Sequence, residues 1–237
     1  MAYEFTIVVP VYNEEDNLKR VEQELSNYIK IATKKTKVLF VNDGSKDNSQ
    51  QLIEEICNEN PDFNFIQFKV NCGLSAAISA GFNNTDTNLV GYIDSDLQTA
   101  PEDFNLLLAE IGAYDLVTGV RANRKDSLVK NMSSTIANGI RRSFTQDGMD
   151  DTGCPLKVIK TEYAQKIPMF KGLHRFLPAM ILLQNGKIKQ IPVQHFPRIA
   201  GEAKYGLWNR LVGPLMDCFA YLWMKKKYIN YNIAKKN

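Results

Sequence analysis

FTIVVPVYNEEDN, residues 5–17, is the stretch on which the reading of the fold turns. Its first seven residues, Phe5 to Val11, are rich in β-branched side chains and almost wholly apolar, which suits a strand buried on both faces of a parallel sheet. The polar remainder predicts a helix: Asn13 can cap it, Glu14, Glu15 and Asp16 fall in its first turn, and Leu18, Val21, Leu25 and Ile29 recur at helical spacing. The junction lacks the G-x-G-x-x-G fingerprint with which a dinucleotide-binding strand-helix turn brings backbone amides up to a pyrophosphate. Pro10-Val11-Tyr12-Asn13-Glu14 stands there instead, so an ordinary dehydrogenase is disfavoured. Phosphate charge, if any is bound, must be neutralised by a metal and basic side chains.

Outward from that junction the alternation repeats. Strands are expected over 37–41, 63–68, 89–93 and 116–120, with helices over 49–57 and 74–82 and another opened by Pro101. Beyond about Asp126 the rhythm fades into a helical stretch near 133–144, a strand near 156–159, a helix near 175–183 and a strand near 187–193. No repeat or linker interrupts it, so the second half reads as an extension of the same sheet. The 237 residues bury a full core, and the 44% hydrophobic and 23% charged composition argues against both disorder and a polytopic membrane protein. A net charge of +3 carries no nucleic-acid signal. Cys57, Cys72, Cys154 and Cys218 have no paired spacing and read as reduced thiols, and the first strand follows Met1 without an export leader.

In an open parallel sheet, ligands bind where strands end. Pro10 to Glu14, Asn42-Asp43-Gly44-Ser45, Asn71-Cys72-Gly73 and Asp94-Ser95-Asp96-Leu97-Gln98 therefore converge on one rim. Two carboxylates and an amide oxygen in the last of these suit a hard cation, Mg²⁺ or Mn²⁺, that takes its remaining ligands from water and phosphate. Arg121 and Arg124 follow the next strand, and guanidinium forks bind phosphate oxygens bidentately.

The joint pattern resembles family 2 glycosyltransferases of the GT-A fold, in particular the dolichyl-phosphate mannosyltransferase-like branch that glycosylates polyprenyl phosphates. It is carried by VVPVYNEEDN (8–17), NDGSKDNS (42–49), NCGLSAAISAG (71–81), DSDLQTAPED (94–103), GVRANRKDS (119–127), DTGCPLK (151–157), HRFLPA (174–179) and RIAGEAKYG (198–206), in matching order over nearly the whole chain. The resemblance implies an α/β fold with a Rossmann-like, mostly parallel sheet and helices on both faces. It puts Pro10, Tyr12, Glu14 and Asp43 around the base and ribose, Asp94 on the nucleotide and sugar, and Asp96 and Gln98 on the metal. Arg121, Arg124, Arg198 and Lys204 become the phosphate and acceptor clamp, with Ala203 replacing the serine common before the lysine. Asp94, Asp96, Arg121 and Asp151 are the catalytic candidates. Each has a plain structural counterpart: Glu14 as a helix-start charge, Asp43 as a turn residue, Asp94 as a strand cap. His174 and Arg175 divide evenly between capping and substrate contact.

The implied reaction is inverting transfer of a sugar from a nucleotide-diphosphate sugar, of GDP-mannose or UDP-hexose type, to a polyprenyl phosphate. A phosphate acceptor, whose second pKa is about 6, is already a nucleophile and needs no base. Transfer to a saccharide hydroxyl is the alternative and would make Asp151 the base; a nucleotide-sugar-binding protein without activity is a third reading. Residues 1–206 form the expected catalytic domain, with the nucleotide-sugar half at about 1–125 and the acceptor half at about 126–206. In 207–237, Leu207, Leu211, Leu215, Phe219 and Leu222 lie at helical spacing near Trp208, Tyr221 and Trp223, ahead of Lys225-Lys226-Lys227. That segment suits either a membrane-interface helix or a core or homodimer-packing helix, and the protein is expected in the cytoplasm, peripheral to the inner face of the membrane.

Overall fold

The computed structural model describes residues 2–121, 139, 141–197, 212–230 and 235. Arg124, Arg198 and Lys204 lie outside them, as does most of the expected helix near 133–144, of which the described residues 139 and 141–145 are helical. The elements run β1 (Phe5–Val11), α1 (Glu15–Ile31), β2 (Thr36–Asn42), α2 (Ser49–Glu59), β3 (Phe63–Gln67), α3 (Leu74–Asn83) and β4 (Leu89–Tyr92). A 3₁₀ turn, Pro101–Asp103, then leads into α4 (Phe104–Glu110) and β5 (Leu116–Arg121). There follow β6 (Lys157–Lys160), α5 (Thr161–Ala164), a 3₁₀ turn Leu173–Phe176, α6 (Leu177–Leu183), β7 (Ile188–Val193) and α7 (Val212–Lys227).

One seven-stranded sheet has the order β3-β2-β1-β4-β6-β5-β7. All pairings are parallel except those of β6, which runs antiparallel to both β4 and β5. The repeating strand-helix pattern of the first half yields parallel strands because each crossover helix returns the chain to the same end of the sheet. Strand β5 ends at the rim and β6 starts there, so β6 runs the opposite way through the sheet. Lys157, the first residue of β6, therefore sits at the rim in mid-sheet, opposite Tyr92 of β4 and Thr118 of β5.

Strand β1 is buried along its whole length, as its almost wholly apolar run requires, and its one polar side chain, Thr6, meets the Thr87 hydroxyl at 2.8 Å. Its alternate residues feed two cores. Phe5, Ile7 and Val9 pack with Leu18, Val21 and Leu25 of α1, Ile53 of α2, and Phe104 and Leu107 of α4. Val8 faces the other way, with Ala77, Ile78 and Phe82 of α3, Met180 and Ile181 of α6, and Cys218 and Tyr221 of α7. Gly91 of β4 lets these layers close up, for a Cβ there would lie 2.7 Å from the Lys157 carbonyl oxygen and 2.8 and 2.9 Å from the Phe5 and Phe104 rings.

Candidate active site

The rim is built from loops that hold one another. Pro10 belongs to it because the ladder from β1 to β4 stops at Val8, two residues earlier, so its missing N–H leaves no partner unpaired. Asn13 adopts φ 51° and does not cap α1, correcting the expectation from its position. Its amide oxygen instead accepts the Lys46 N–H (2.8 Å), while its own N–H donates to Ser45 Oγ (3.0 Å). The Glu14 N–H donates to Ser49 Oγ (3.0 Å), and its carboxylate accepts Asn17 Nδ2 (2.6 Å). Asp43 is buried, and its carboxylate gathers three donors: the N–H groups of Cys72 (2.6 Å) and Gly73 (2.8 Å) and the Asn71 amide (2.9 Å). Gly44 turns the chain behind it at φ 68°, where a Cβ would meet the Val70 carbonyl carbon at 2.5 Å. Tyr12, Glu14 and Asp43 thus share one shelf after β1, β2 and β3, and Asp43 acts there as the tie between β2 and the start of α3.

The next shelf follows β4. Leu97 has φ 47°, rarely tolerated by a bulky side chain, and is buried. Its N–H donates to the Asp94 carbonyl (3.1 Å), and Arg20 reaches its carbonyl (3.5 Å). The inverted residue turns Asp96 and Gln98 back toward the rim, with the Gln98 N–H on Asp96 Oδ1 (3.2 Å). Gln98 is fastened to the chain after β7: its carbonyl accepts the Phe196 N–H (2.8 Å) and His195 Nδ1 (3.0 Å). Gln194 N–H donates to the buried Asp103 carboxylate (2.7 Å). These bonds hold residues 194–196 against Gln98 and Asp103. Asp96 is only 8% exposed, and among the described residues no three His, Cys, Asp or Glu side chains gather into a metal cage. Asp96, Gln98 and Asp94 therefore fit a small hard cation that draws the rest of its coordination from a diphosphate and water, and do not fit a self-contained structural ion.

Arg121 ends β5 and meets Asp151 in a two-pronged ion pair, Nε to Oδ2 at 2.7 Å and Nη2 to Oδ1 at 2.9 Å. Both carboxylate oxygens accept guanidinium hydrogens, the geometry of a charge-assisted fork. Between this pair and the Asp94 loop lies Lys157, whose charge sequence reasoning had passed over because a lysine opening a strand usually faces water. The buried Cys154 lies in the turn before Lys157, and burial pushes its thiol up to about 11.

His174 stands at the edge of the site. The Gly172 N–H donates to Ser75 Oγ (3.0 Å), and the serine hydroxyl meets His174 Nδ1 at 2.8 Å. Burial, helped by the positive charges of Arg175 and Lys157, lowers the imidazole to about 3. The ring is then neutral and shares a hydrogen bond with the Ser75 hydroxyl through Nδ1. Because the unfolded residue titrates near 6.5, the unfolded chain holds the extra proton between these values. The stabilisation is complete above pH 6.5 and is lost as pH falls toward 3. His174→Asn, which keeps a hydrogen-bond partner for Ser75, should flatten the fall in melting temperature between about pH 6.5 and pH 4; unchanged slopes in parent and variant would show that the native ring titrates freely.

Comparison with known proteins accords with this geometry. The family model described as Glycosyl transferase family 2 matches residues 6–167. Undecaprenyl-phosphate 4-deoxy-4-formamido-L-arabinose transferase from Yersinia pestis (strain Pestoides F) is 34% identical over 221 residues, which are 92% of this chain and 67% of the relative. The enzyme of that name from Yersinia pseudotuberculosis serotype O:3 (strain YPIII) matches to the same extent, 34% over 221 residues. Among solved structures, glucosyl-3-phosphoglycerate synthase from Mycobacterium tuberculosis, in complex with Mn²⁺, UDP and glucosyl-3-phosphoglycerate, superposes with a TM-score of 0.72 at 14% identity, covering 98% of this chain and 83% of that one. A mannosyltransferase from Pyrobaculum calidifontis in complex with GDP-Man and Mn²⁺ gives 0.66 at 17% identity, covering 93% and 64%. These two share the GT-A fold with the chain.

Proposed function

Because the chain belongs to glycosyltransferase family 2, we propose that it moves a sugar from a nucleotide-diphosphate sugar to a polyprenyl phosphate, with inversion and with the help of Mg²⁺ or Mn²⁺. Relatives named for transfer to undecaprenyl phosphate support the acceptor class. The observation that carries the reading is the Arg121–Asp151 pair. Asp151 is the carboxylate a hydroxyl acceptor would need as its base, and both of its oxygens are engaged by a guanidinium. A phosphate acceptor, largely dianionic at neutral pH given a second pKa of about 6, dispenses with that base.

In this mechanism Tyr12, Glu14, Asp43 and the shelf they share receive the nucleoside, and Asp94 orients the donor sugar. Asp96 and Gln98 would hold the divalent ion, which supplies charge neutralisation to the diphosphate. Arg121, steadied by Asp151, offsets negative charge growing on the leaving group. An acceptor phosphate oxygen attacks the anomeric carbon as the bond to the nucleotide diphosphate breaks and its electron pair leaves with the diphosphate, inverting configuration once. Arg124, Arg198 and Lys204 are proposed as cations for the two anions, whose mutual repulsion is the chief obstacle to their meeting. Residues 1–206 are proposed as the catalytic unit.

Helix α7 supports a peripheral membrane position at the cytoplasmic face. Cys218 and Tyr221, 2% and 1% exposed, pack inward, and Tyr221 stacks on Phe176 with ring centroids 5.9 Å apart. Met216 and Trp223, 62% and 68% exposed, point outward with Phe219, next to the exposed Lys225-Lys226-Lys227. Of the expected stripe, Leu207, Leu211 and the Leu215 side chain lie outside the described residues, and Phe219 and Leu222, 53% and 38% exposed, lie on the outer side with Met216 and Trp223; in our reading this aromatic and sulfur-bearing face belongs to an anionic lipid surface, in preference to a second copy. Among the described residues no helix is long and apolar enough to cross a membrane. The deciding experiment screens radiolabelled nucleotide sugars with polyprenyl phosphate and Mn²⁺ or Mg²⁺. Label should enter the lipid phase with one of them; label found only in water-soluble saccharide would sink the lipid-phosphate acceptor.

A further inference from the structure

Lys157 is fully buried, at 0% exposure, in the middle of the sheet. An ammonium there costs several kcal/mol unless its surroundings compensate. The side chain folds back over the turn it has just left: Nζ donates to the carbonyl oxygens of Thr152 (3.2 Å) and Cys154, one and three residues after Asp151. On its other side Nζ lies 5.3 Å from the centroid of the Tyr92 ring, within the reach of a cation–π contact. Tyr92 closes β4, two residues before Asp94, and pairs with Lys157 across the ladder. On β6's opposite edge, Thr118 pairs with Lys157 three residues before Arg121. The carboxylates of Asp151 and Asp94 and the guanidinium of Arg121 are all near enough to act on its charge. An apolar side chain would fill this strand position at a lower desolvation cost, so what the charge contributes is directional: it grips two carbonyls and an aromatic face at once.

We propose that Lys157 is a positioning residue of the transfer reaction, tying the Asp151–Cys154 turn to the end of β4 so that the Arg121 fork and Asp94 keep a fixed separation across the departing diphosphate. The inference rests on the glycosyl-transfer reading. It places Lys157 one step behind the reacting atoms: the lysine sets the turn, the turn sets Asp151, and Asp151 sets the guanidinium. Loosening that chain should matter most where charge develops on the leaving group, and least for recognition of the intact donor, which the nucleoside shelf governs.

The test pairs Lys157→Met and Lys157→Gln each with Asp151→Asn. Each Lys157 variant should lower kcat by about 10- to 100-fold with donor KM changed less than about threefold, and the double variants should be no slower than the slower single by more than about threefold. Calorimetric binding of UDP and GDP with Mn²⁺, which mimic the leaving group, should weaken about tenfold in the Lys157 variants and no further in the Asp151→Asn background. This second measurement needs no turnover. A parent protein that binds a nucleotide diphosphate but transfers no sugar defeats the functional reading and leaves the tie to be judged by affinity. Losses that multiply in the double variants, kcat within threefold of the parent, or failure of both Lys157 variants to fold would each overturn the proposal, the last by making the lysine a purely structural residue.

Discussion

Asp96→Asn should lower sugar transfer by about a thousandfold or more, because it removes the negative charge through which, in the proposed mechanism, the protein would hold a divalent ion. Metal stabilisation of charge in a transition state is worth several kcal/mol, and about 4 kcal/mol corresponds to three orders of magnitude in rate. Asparagine retains an oxygen able to accept the Gln98 N–H that Asp96 now accepts, so the turn inverted at Leu97 should survive. The loss should therefore come with an unchanged melting temperature and a demand for Mn²⁺ that rises at least tenfold. The check is transfer rate against Mn²⁺ concentration for parent and variant. Equal activity at every metal concentration would show that Asp96 is no ligand and would remove the ion from the proposed mechanism.

The second large effect concerns the guanidinium. Arg121→Lys preserves the charge but not the fork that occupies both oxygens of Asp151, and we expect a loss of about 100- to 1000-fold in kcat, the range for removing one preorganised donor from a developing charge. Asp151→Asn releases the fork and should cost less, about 10- to 100-fold, because the guanidinium remains present but unsteadied. The ranking separates the two acceptor classes. If Asp151 were the base for a hydroxyl acceptor, its replacement would abolish turnover outright while Arg121→Lys would be the milder change. A kcat profile against pH sharpens the point: with a phosphate acceptor, activity should follow the acceptor's own ionisation at about pH 6 in parent and Asp151→Asn alike.

The nearly continuous apolar run of Phe5–Val11, followed by acidic residues at a helix start, left a parallel α/β sheet as the natural reading, since a strand without alternation must be covered on both faces. The same local rule placed α2, α3 and β2 to β5 within two residues or so of their observed limits, and put Asp94 and Asp96 at a strand end. It failed where a side chain found a better partner than its neighbours in sequence. Asn13 has the chemistry of a helix cap, yet its amide serves the Lys46 N–H of another loop. Leu97 carries no sequence mark of a left-handed residue; the fold imposes that conformation in order to turn Asp96 and Gln98 around.

What the sequence determined by itself was the strand and helix alternation of the first 121 residues, the rim on which the polar residues gather, and the family, because these follow from periodicity and from motifs whose residues are close in the chain. The reversal of β6, the two-pronged grip between Arg121 and Asp151, the burial of Lys157 beneath it and the division of α7 into a core face and an outer face were decided only by tertiary structure. Each joins residues 30 or more positions apart or depends on which side of an element is covered. Such pairings are selected by desolvation and by competition among many donors and acceptors, and neither is visible until the chain has closed on itself.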